Sequence, residues 1–316
     1  MRLGEIDHTD LLRHEGVDRL DEICREWGIF VLRNHPIARA DCEAMLGQMA
    51  GFFARPLEEK RRCERSDANP WGYYDRELTK NIRDWKEIFD FGPVVGGSIP
   101  RWPEGDVEFR SVAEDFYGAC ERIALDIVRA LALALGTEVE GMLRAFDHHT
   151  SYLRMNAYPL CEAPSPAETP TGPPQGHFAI SHHSDAGAVT VLLHDGNDGL
   201  QVEKGGRWHD ISVERGSLVI NLGDVMQVWS NDRYRAPLHR VLASRSRVRL
   251  SAPFFLNPGF ETDYAPLVPL GEGEAPRYRS INWGEFRAAR AAGDYANVGQ
   301  EVQIEDFRLP AENQER

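Results

Sequence analysis

His183-Ser-Asp-Ala-Gly-Ala-Val-Thr-Val-Leu-Leu193 is the stretch that decides the fold, because a metal-binding pattern runs directly into a β-strand. His183 and Asp185 are two residues apart, so both side chains point the same way on an extended segment. Residues 189–193 are apolar and largely β-branched, which predicts a strand. The pair by itself is weak evidence for a metal, since the chain contains 11 histidines.

A second histidine and an arginine–serine pair strengthen the metal hypothesis. His239 follows far enough along the chain for several strands to return it to the same pocket. Two imidazoles and one carboxylate, with the remaining positions open, are the ligand set of non-haem ferrous sites. Arg249 and Ser251 stand on an otherwise apolar strand, where a buried guanidinium requires an anion. We predict a catalytic metal centre with an anionic co-substrate.

Residues 239–251 are predicted to form a β-hairpin whose turn lies near Arg245. In that register His239 faces Ser251, and Arg249 shares their sheet face. A slip of one residue would move Arg249 to the opposite face. The alternative for Arg249 is a position at the rim of a sheet, paired with one of the many carboxylates.

Charge and cysteine usage argue against several classes of protein. The chain has 316 residues and a formal net charge of −14, which does not favour a nucleic-acid partner. Its 5 cysteines are scattered, so neither a disulfide framework nor a thiolate zinc site is expected, and a cytoplasmic location is predicted. No apolar run is long enough for a membrane helix, so no membrane partner is expected. The oligomeric state cannot be derived from the sequence.

The character of the sequence changes near residue 151. Before it, helices are predicted over 39–54, 56–65 and 107–135, with a short strand over 28–32. After it, eight short β-rich runs alternate with turn residues, which predicts a sandwich or barrel. These runs are 152–158, 189–193, 200–203, 208–211, 218–221, 225–229, 239–243 and 248–256. A helix is predicted again over 282–297.

These patterns predict one catalytic unit of the α+β class with a mainly β core. Residues 1–150 are interpreted as an N-terminal helical region that does not fold independently. Residues 151–300 are interpreted as the catalytic core with a C-terminal helix, and residues 301–316 as a tail.

Further motifs flank the metal pattern along nearly the whole chain. They are Trp27-Gly-Ile-Phe-Val-Leu-Arg-Asn-His35, Phe52-Phe53 with Pro56-Leu-Glu-Glu-Lys60, Asp84-Trp-Lys-Glu-Ile-Phe-Asp90, Gly199-Leu-Gln-Val202, Val219-Ile-Asn-Leu-Gly-Asp224, Ser230-Asn-Asp-Arg-Tyr234 and His239-Arg-Val241. Together with residues 183–193, and in this order, they resemble the isopenicillin-N-synthase-like 2-oxoglutarate/Fe(II)-dependent dioxygenases. The resemblance implies a double-stranded β-helix, or jelly roll, wrapped by N-terminal and C-terminal helices.

The resemblance also implies roles for individual residues. Fe(II) would be bound by His183, Asp185 and His239, and the distal carboxylate of 2-oxoglutarate by Arg249 and Ser251.

Two more polar residues, Asn156 and Tyr158, match positions that contact the co-substrate in related enzymes. Their alternative is an ordinary strand end, in which Pro159 follows Tyr158. The implied reaction consumes O2, converts 2-oxoglutarate to succinate, and hydroxylates, desaturates or cyclises a small molecule. Ascorbate is a candidate reductant.

The substrate itself cannot be identified from the sequence. The candidate pocket residues are Tyr73, Tyr74, Arg83, Trp85, Gln227 and Phe255. Three of them, Tyr73, Tyr74 and Trp85, are equally well explained as core aromatic residues. Arg83 is equally well explained by pairing with a surface acid.

Three other functions stay open at this point. An oxidase of the same fold that does not use 2-oxoglutarate would retain the arginine and serine. A non-catalytic protein could use the pocket for a small ligand, although it would need neither an intact metal set nor the arginine–serine pair. A zinc hydrolase also uses two histidines and a carboxylate, but no nearby helical glutamate resembles its general base.

Overall fold

The structure is a computed structural model that describes residues 3–66, 68–94, 97–169, 175–297 and 299–310. Its helices are α1 (His14–Glu26), α2 (Arg39–Phe53), α3 (Leu57–Arg61), α4 (Val107–Leu135), α5 (Val139–Leu143), α6 (Asp224–Trp229) and α7 (Trp283–Tyr295). Short 3-10 helices cover His8–Asp10, Arg144–Phe146 and Ile304–Phe307. Of the predicted tail, residues 311–316 lie outside the described part of the chain.

The strands belong to two main sheets and two short pairs. They are β1 (Glu5–Asp7), β2 (Ile29–Arg33), β3 (Gly72–Tyr74), β4 (Leu78–Thr79), β5 (Ile82–Arg83), β6 (Glu87–Phe91), β7 (Tyr152–Tyr158), β8 (Phe178–His183), β9 (Val189–His194), β10 (Leu200–Lys204), β11 (Arg207–Asp210), β12 (Leu218–Leu222), β13 (His239–Leu242), β14 (Arg249–Leu256), β15 (Asp263–Tyr264) and β16 (Ile281–Asn282). The larger sheet has the order β1-β2-β12-β9-β14-β7-β6-β3, and the smaller sheet has the order β11-β10-β13-β8. Strands β4 and β5 form one separate pair, and β15 and β16 form the other.

Apolar packing on both faces of the larger sheet fixes the architecture. On the inner face, Leu192 and Val219 pack with Val202 and Val241 of the smaller sheet in one buried cluster. Helices cover the outer face, where a second and larger cluster forms. Strand β9 therefore lies between two apolar layers, and all of its residues are buried. The predicted α+β class and the jelly roll with flanking helices are confirmed.

Helix α4 shows how local sequence sets an element that the fold needs. The Asp106 side chain caps its first turn by accepting a hydrogen bond from the Phe109 backbone N–H. Gly136 ends it in the left-handed conformation at φ 66°, which a glycine adopts without strain. The helix bounds agree with the predicted 107–135. Among the described helices none, α4 included, is long and apolar enough to cross a membrane.

Seven of the eight β-rich runs predicted after residue 151 are strands, but the run 225–229 is not. It belongs to α6, and all six residues of that helix are buried. A short run that is buried on every side shows no period, so its sequence cannot distinguish helix from strand. The prediction also omitted β8, which carries His183, and β3 and β6, which extend the larger sheet.

The predicted hairpin over 239–251 is wrong. Strand β13 pairs with β8 and β10 in the smaller sheet, whereas β14 pairs with β7 and β9 in the larger one. The chain crosses from one sheet to the other between these two strands. His239 and Arg249 can still reach a common cavity because the two sheets face each other.

We propose that residues 151–300 cannot form the core without residues 1–150. Strand β2 covers one edge of β12, and β6 covers one edge of β7. Removing them would expose two long strand edges and the apolar face under α4.

We therefore expect a 151–300 fragment to show no cooperative thermal transition by circular dichroism, in contrast to the full chain. A fragment that melted at the temperature of the full chain would contradict this proposal. The full chain cleaved once at an exposed site is the control, since it keeps both parts together.

Candidate active site

Two neighbouring strands of the smaller sheet, β8 and β13, and the loop between β8 and β9 assemble the metal triad. His183 ends β8 and His239 begins β13, and the two residues pair directly across the smaller sheet, with ring centroids 4.3 Å apart. Asp185 Oδ1 lies 3.9 Å from His183 Nε2 and 3.6 Å from His239 Nε2. One ligand atom from each residue lies within 4.8 Å of the others. The three predicted ligands therefore converge on one point.

Backbone carbonyls orient both imidazoles. His183 Nδ1 lies 2.8 Å from the Ser181 carbonyl oxygen, and His239 Nδ1 lies 3.0 Å from the Pro237 carbonyl oxygen. Each Nδ1 must carry the proton, because a carbonyl only accepts, so each Nε2 keeps its lone pair for a metal. Burial and the neighbouring His239 hold the pKa of His183 well below its ordinary value. Neutral His183 is the form that binds a metal.

Asp185 is held so that one oxygen is occupied and the other faces the histidines. Its Oδ2 accepts hydrogen bonds from Thr190 Oγ1 at 2.7 Å and from Asn221 Nδ2 at 3.3 Å. Thr190 and Asn221 are cross-strand partners on β9 and β12. Neither residue was predicted, because only the pairing of these strands brings them to the carboxylate. Such outer partners fix the orientation of a ligand.

Arg249 is buried beside the triad with no partner for its charge. Its side chain lies in the wall of the same cavity, the residue is 3% exposed, and Nε, Nη1 and Nη2 have no hydrogen-bond acceptor among the described residues. A buried guanidinium in this state is costly unless an anion binds it. The alternative of a rim position paired with a carboxylate does not agree with this geometry.

A cluster of polar side chains surrounds the anion site at Arg249. Arg249 pairs across the sheet with Tyr158, and Ser251 pairs with Asn156. Ser251 Oγ lies 3.1 Å from the Tyr158 hydroxyl and 3.4 Å from Asn156 Nδ2. The guanidinium also lies 5.0 Å from the centre of the Tyr158 ring. The structure thus brings together all four residues that the sequence suggested for the co-substrate.

His194 is a neighbour of this site that sequence reasoning missed. It is fully buried and pairs with Ser251 across β9 and β14, so both side chains occupy the same sheet face. The Gly196 N–H donates to His194 Nδ1 at 2.9 Å, so the proton of the neutral ring is on Nε2, which lacks a partner among the described residues. Burial and the nearby Arg249 lower the pKa of His194 to about 3. His194 therefore adds a neutral donor and no charge.

Of the six candidate substrate residues, only Phe255 lies in the cavity wall. Tyr73 is buried and donates to Glu87, while Tyr74 lies under the guanidinium of Arg65. These two aromatic residues therefore belong to the core and its surroundings, which agrees with their alternative interpretation as core aromatic residues.

The other three candidates also lie elsewhere. Arg83 donates to the Asp75 carbonyl, Trp85 stacks on His177 with ring centroids 4.8 Å apart, and Gln227 donates to the Tyr278 hydroxyl. None of these five side chains lies in the wall of the cavity that the triad lines, because a motif position alone does not show which way a side chain points.

Comparison with known proteins decides the family. Residues 149–258 match the 2OG-Fe(II) oxygenase superfamily, and residues 2–105 match the family described as non-haem dioxygenase in morphine synthesis N-terminal. Oxoglutarate-dependent flavonoid 7-O-demethylase 1 of Ocimum basilicum is 32% identical over 282 residues, covering 85% of this chain and 72% of that protein. Jasmonate-induced oxygenase 4 of Arabidopsis thaliana is 30% identical over 283 residues, covering 87% and 77%.

The chain belongs to the 2OG-Fe(II) oxygenase superfamily. A crystal structure of JOX2 in complex with 2OG, Fe and JA superposes with a TM-score of 0.82 at 25% identity, covering 98% of this chain and 90% of that chain. This superfamily member is therefore a 2-oxoglutarate- and Fe(II)-dependent oxygenase, and the predicted Fe(II) and 2-oxoglutarate are confirmed. The donor set fits Fe(II), and the unpartnered Arg249 fits a dicarboxylate.

Proposed function

We propose that this oxygenase binds Fe(II) through His183, Asp185 and His239 and oxidises a small molecule, with hydroxylation as the default outcome. Arg249 and Ser251 would hold the distal carboxylate of 2-oxoglutarate. The observation that supports this most strongly is the buried, unpartnered Arg249 in the cavity that the triad lines. An arginine in that position has no role in packing that an apolar side chain would not perform better.

The geometry of β14 separates the co-substrate from the substrate. Arg249, Ser251, Pro253 and Phe255 alternate along the strand, and all four line the cavity. At about 3.3 Å per residue, the two ends of this series are roughly 20 Å apart. Thr190, which bonds Asp185, pairs with Phe255. The metal therefore lies towards the Phe255 end, and we place the substrate there, beyond the triad from Arg249.

Each residue of the site has a definite task in this scheme. Fe(II) with 2-oxoglutarate and O2 supplies the oxidising chemistry, in which the co-substrate is decarboxylated to succinate. Arg249 fixes the far end of the co-substrate by a charge-assisted hydrogen bond, so its keto acid end points at the triad. Thr190 and Asn221 keep Asp185 oriented. Leu192 and Val241 line the cavity and keep water away from the reacting groups.

Titration with 2-oxoglutarate under argon tests the proposal. We expect a visible charge-transfer band when the co-substrate binds the Fe(II)-loaded protein, and succinate once oxygen is admitted. Glutarate, which lacks the keto group, is the control: it should compete for Arg249 without producing the band. If 2-oxoglutarate gives neither a band nor succinate, the assignment of this site is wrong. If the band and succinate are both observed, a substrate screen by mass spectrometry follows, in which a mass gain of one oxygen identifies hydroxylation.

A further inference from the structure

The end of the cavity near Phe255 carries basic side chains that the co-substrate does not use. Lys80 lies in the turn between β4 and β5, and Arg287 and Arg290 lie on α7. All three line the same cavity as the metal triad. Arg287 is 5.7 Å from the ring centre of Tyr152, the cross-strand partner of Phe255. Arg287 therefore lies at the Phe255 end of the cavity, close to the proposed substrate position.

The charges of the cavity do not balance. Its basic residues are Lys80, Lys86, Arg154, Arg249, Arg287 and Arg290, and its acidic residues are Glu77, Asp185 and Glu301. The charges of Fe(II) and 2-oxoglutarate cancel, as do those of Asp185 and Arg249.

Two of the remaining cations are neutralised within the protein. Lys86 and Arg154 pair with Glu77 at 2.7 and 2.8 Å in a buried network. That network also contains Arg65, Asp84 and Asp90, and its three cations match its three anions. Lys80, Arg287 and Arg290 remain in the cavity wall, where Glu301 is the acidic residue near them, and Asp224 and Glu305 act on Lys80 from outside the wall. This local excess of lining cations occurs in a chain whose overall charge is −14.

Among the described residues, none of these three cations forms a close ion pair with a carboxylate. Within the described residues, no carboxylate lies within ion-pair distance of Lys80 or Arg287, and neither side chain forms a hydrogen bond. Among the described residues, Arg290 donates to the carbonyls of Ser184 and Val302 and to the Gln303 side-chain amide oxygen, and to no carboxylate. Burial and repulsion from Arg290 lower the pKa of Lys80 below its ordinary value. A bound anion would relieve this repulsion.

Apolar surface lies beside the cations. The Tyr152 and Phe255 rings are 4.8 Å apart, and Trp283 lines the cavity one helical turn before Arg287. Trp283, Arg287 and Arg290 share one face of α7, because residues three and four apart on a helix are neighbours. A ligand that touches this face must offer both an anionic group and an apolar part.

We propose that the substrate is a small carboxylic acid whose carboxylate pairs with Arg287 and Lys80 and whose apolar body lies against Tyr152 and Phe255. This inference rests on the proposed function, since it places the acid beside the metal triad. It names a substrate class that the triad and the co-substrate site leave open. Arg290 donates a hydrogen bond to the carbonyl of Ser184, which lies between His183 and Asp185. This bond holds α7 against the loop that carries Asp185.

Matched pairs of ligands test the proposal. The panel contains aryl-substituted and straight-chain carboxylic acids, each with its methyl ester, added under argon to protein loaded with Fe(II) and 2-oxoglutarate. We expect acids of this panel to raise the melting temperature and to bind by calorimetry, whereas their esters do not. Arg287→Gln and Lys80→Gln should each weaken acid binding by roughly tenfold, the scale of one charge-assisted hydrogen bond.

The control is Arg245→Gln, which removes the same charge from an exposed position away from the cavity and should leave acid binding unchanged. Arg287→Lys keeps the charge and should retain part of the affinity. If Arg287→Gln does not fold, the Lys80→Gln variant still tests the proposal, because Lys80 lies in a separate turn. Equal binding of acids and esters, no bound acid in the panel, or unchanged affinity in both variants overturns the proposal. The charge-transfer band with 2-oxoglutarate is measured separately, so failure of the proposed function is recognised by itself.

Discussion

Replacing Arg249 by leucine is expected to stabilise the ligand-free protein and to abolish its response to 2-oxoglutarate. The wild-type guanidinium is buried without a partner, and each unsatisfied buried donor group costs about 1–3 kcal/mol. Leucine removes that cost and packs against the neighbouring apolar residues. Loss of the buried ion pair in the complex should cost roughly 3–5 kcal/mol, so 2-oxoglutarate affinity should fall by at least about 100-fold.

Thermal melts with and without 2-oxoglutarate measure both effects of Arg249→Leu. The matched control is Arg240→Leu, because Arg240 is equally buried but donates to Gln201 and to the carbonyls of Ala167 and Thr169. Its loss leaves these acceptors unsatisfied, so Arg240→Leu should destabilise the protein. If Arg249→Leu were as destabilised as Arg240→Leu, or kept wild-type affinity for 2-oxoglutarate, the assignment of Arg249 would fail.

Replacing Asp185 by alanine should eliminate turnover while the chain stays folded. Loss of an outer partner of a metal ligand typically costs about 10- to 100-fold in metal affinity, so loss of the carboxylate itself should cost more than roughly 100-fold. Thr190 and Asn221 would lose their acceptor, which should destabilise the protein by about 1–3 kcal/mol. Calorimetric titration with Fe(II) under argon measures the affinity.

Two further variants make the result for Asp185 specific. Asp147→Ala removes an exposed carboxylate and should change neither metal affinity nor stability. Asn221→Ala keeps Asp185 but removes one of its hydrogen bonds, and we expect an intermediate loss of metal affinity. Metal binding by Asp185→Ala at wild-type affinity would show that the three residues are not the iron site.

The sequence alone was sufficient to predict an element whose structure depends only on residues within that element. Helix α4 was predicted with the observed bounds, because an acidic cap, a helical period and a terminal glycine act within the segment itself. The HxD spacing and the motifs around it predicted the family correctly for a similar reason, because each motif is contiguous, and the same spacing is the basis of the proposed metal ligands. The run 225–229 failed because burial on all sides removes the period on which such a prediction depends.

The assignment of strands to the two sheets could not be predicted from the sequence. The hairpin over 239–251 was a natural prediction from a local pattern, yet β13 and β14 belong to different sheets. The hairpin register was one argument that residues 239 and 249 serve one site, and that argument fails; the other argument remains. It rested on the chemistry of the residues, which the true topology also satisfies.

The stretch from His183 to Leu193, with His239 and Arg249, was enough by itself to predict an iron-dependent oxidant and an anionic co-substrate, whereas comparison with known proteins decided that the co-substrate is 2-oxoglutarate. The reason is that the types of ligand residue and their spacing are given directly by the amino-acid sequence. Only the tertiary structure decided that Arg249 has no hydrogen-bond partner among the described residues, that Thr190 and Asn221 hold Asp185, and that Arg287 and Lys80 line one cavity. Those facts depend on which distant segments pack together, because burial and unpaired charge are properties of the assembled cavity.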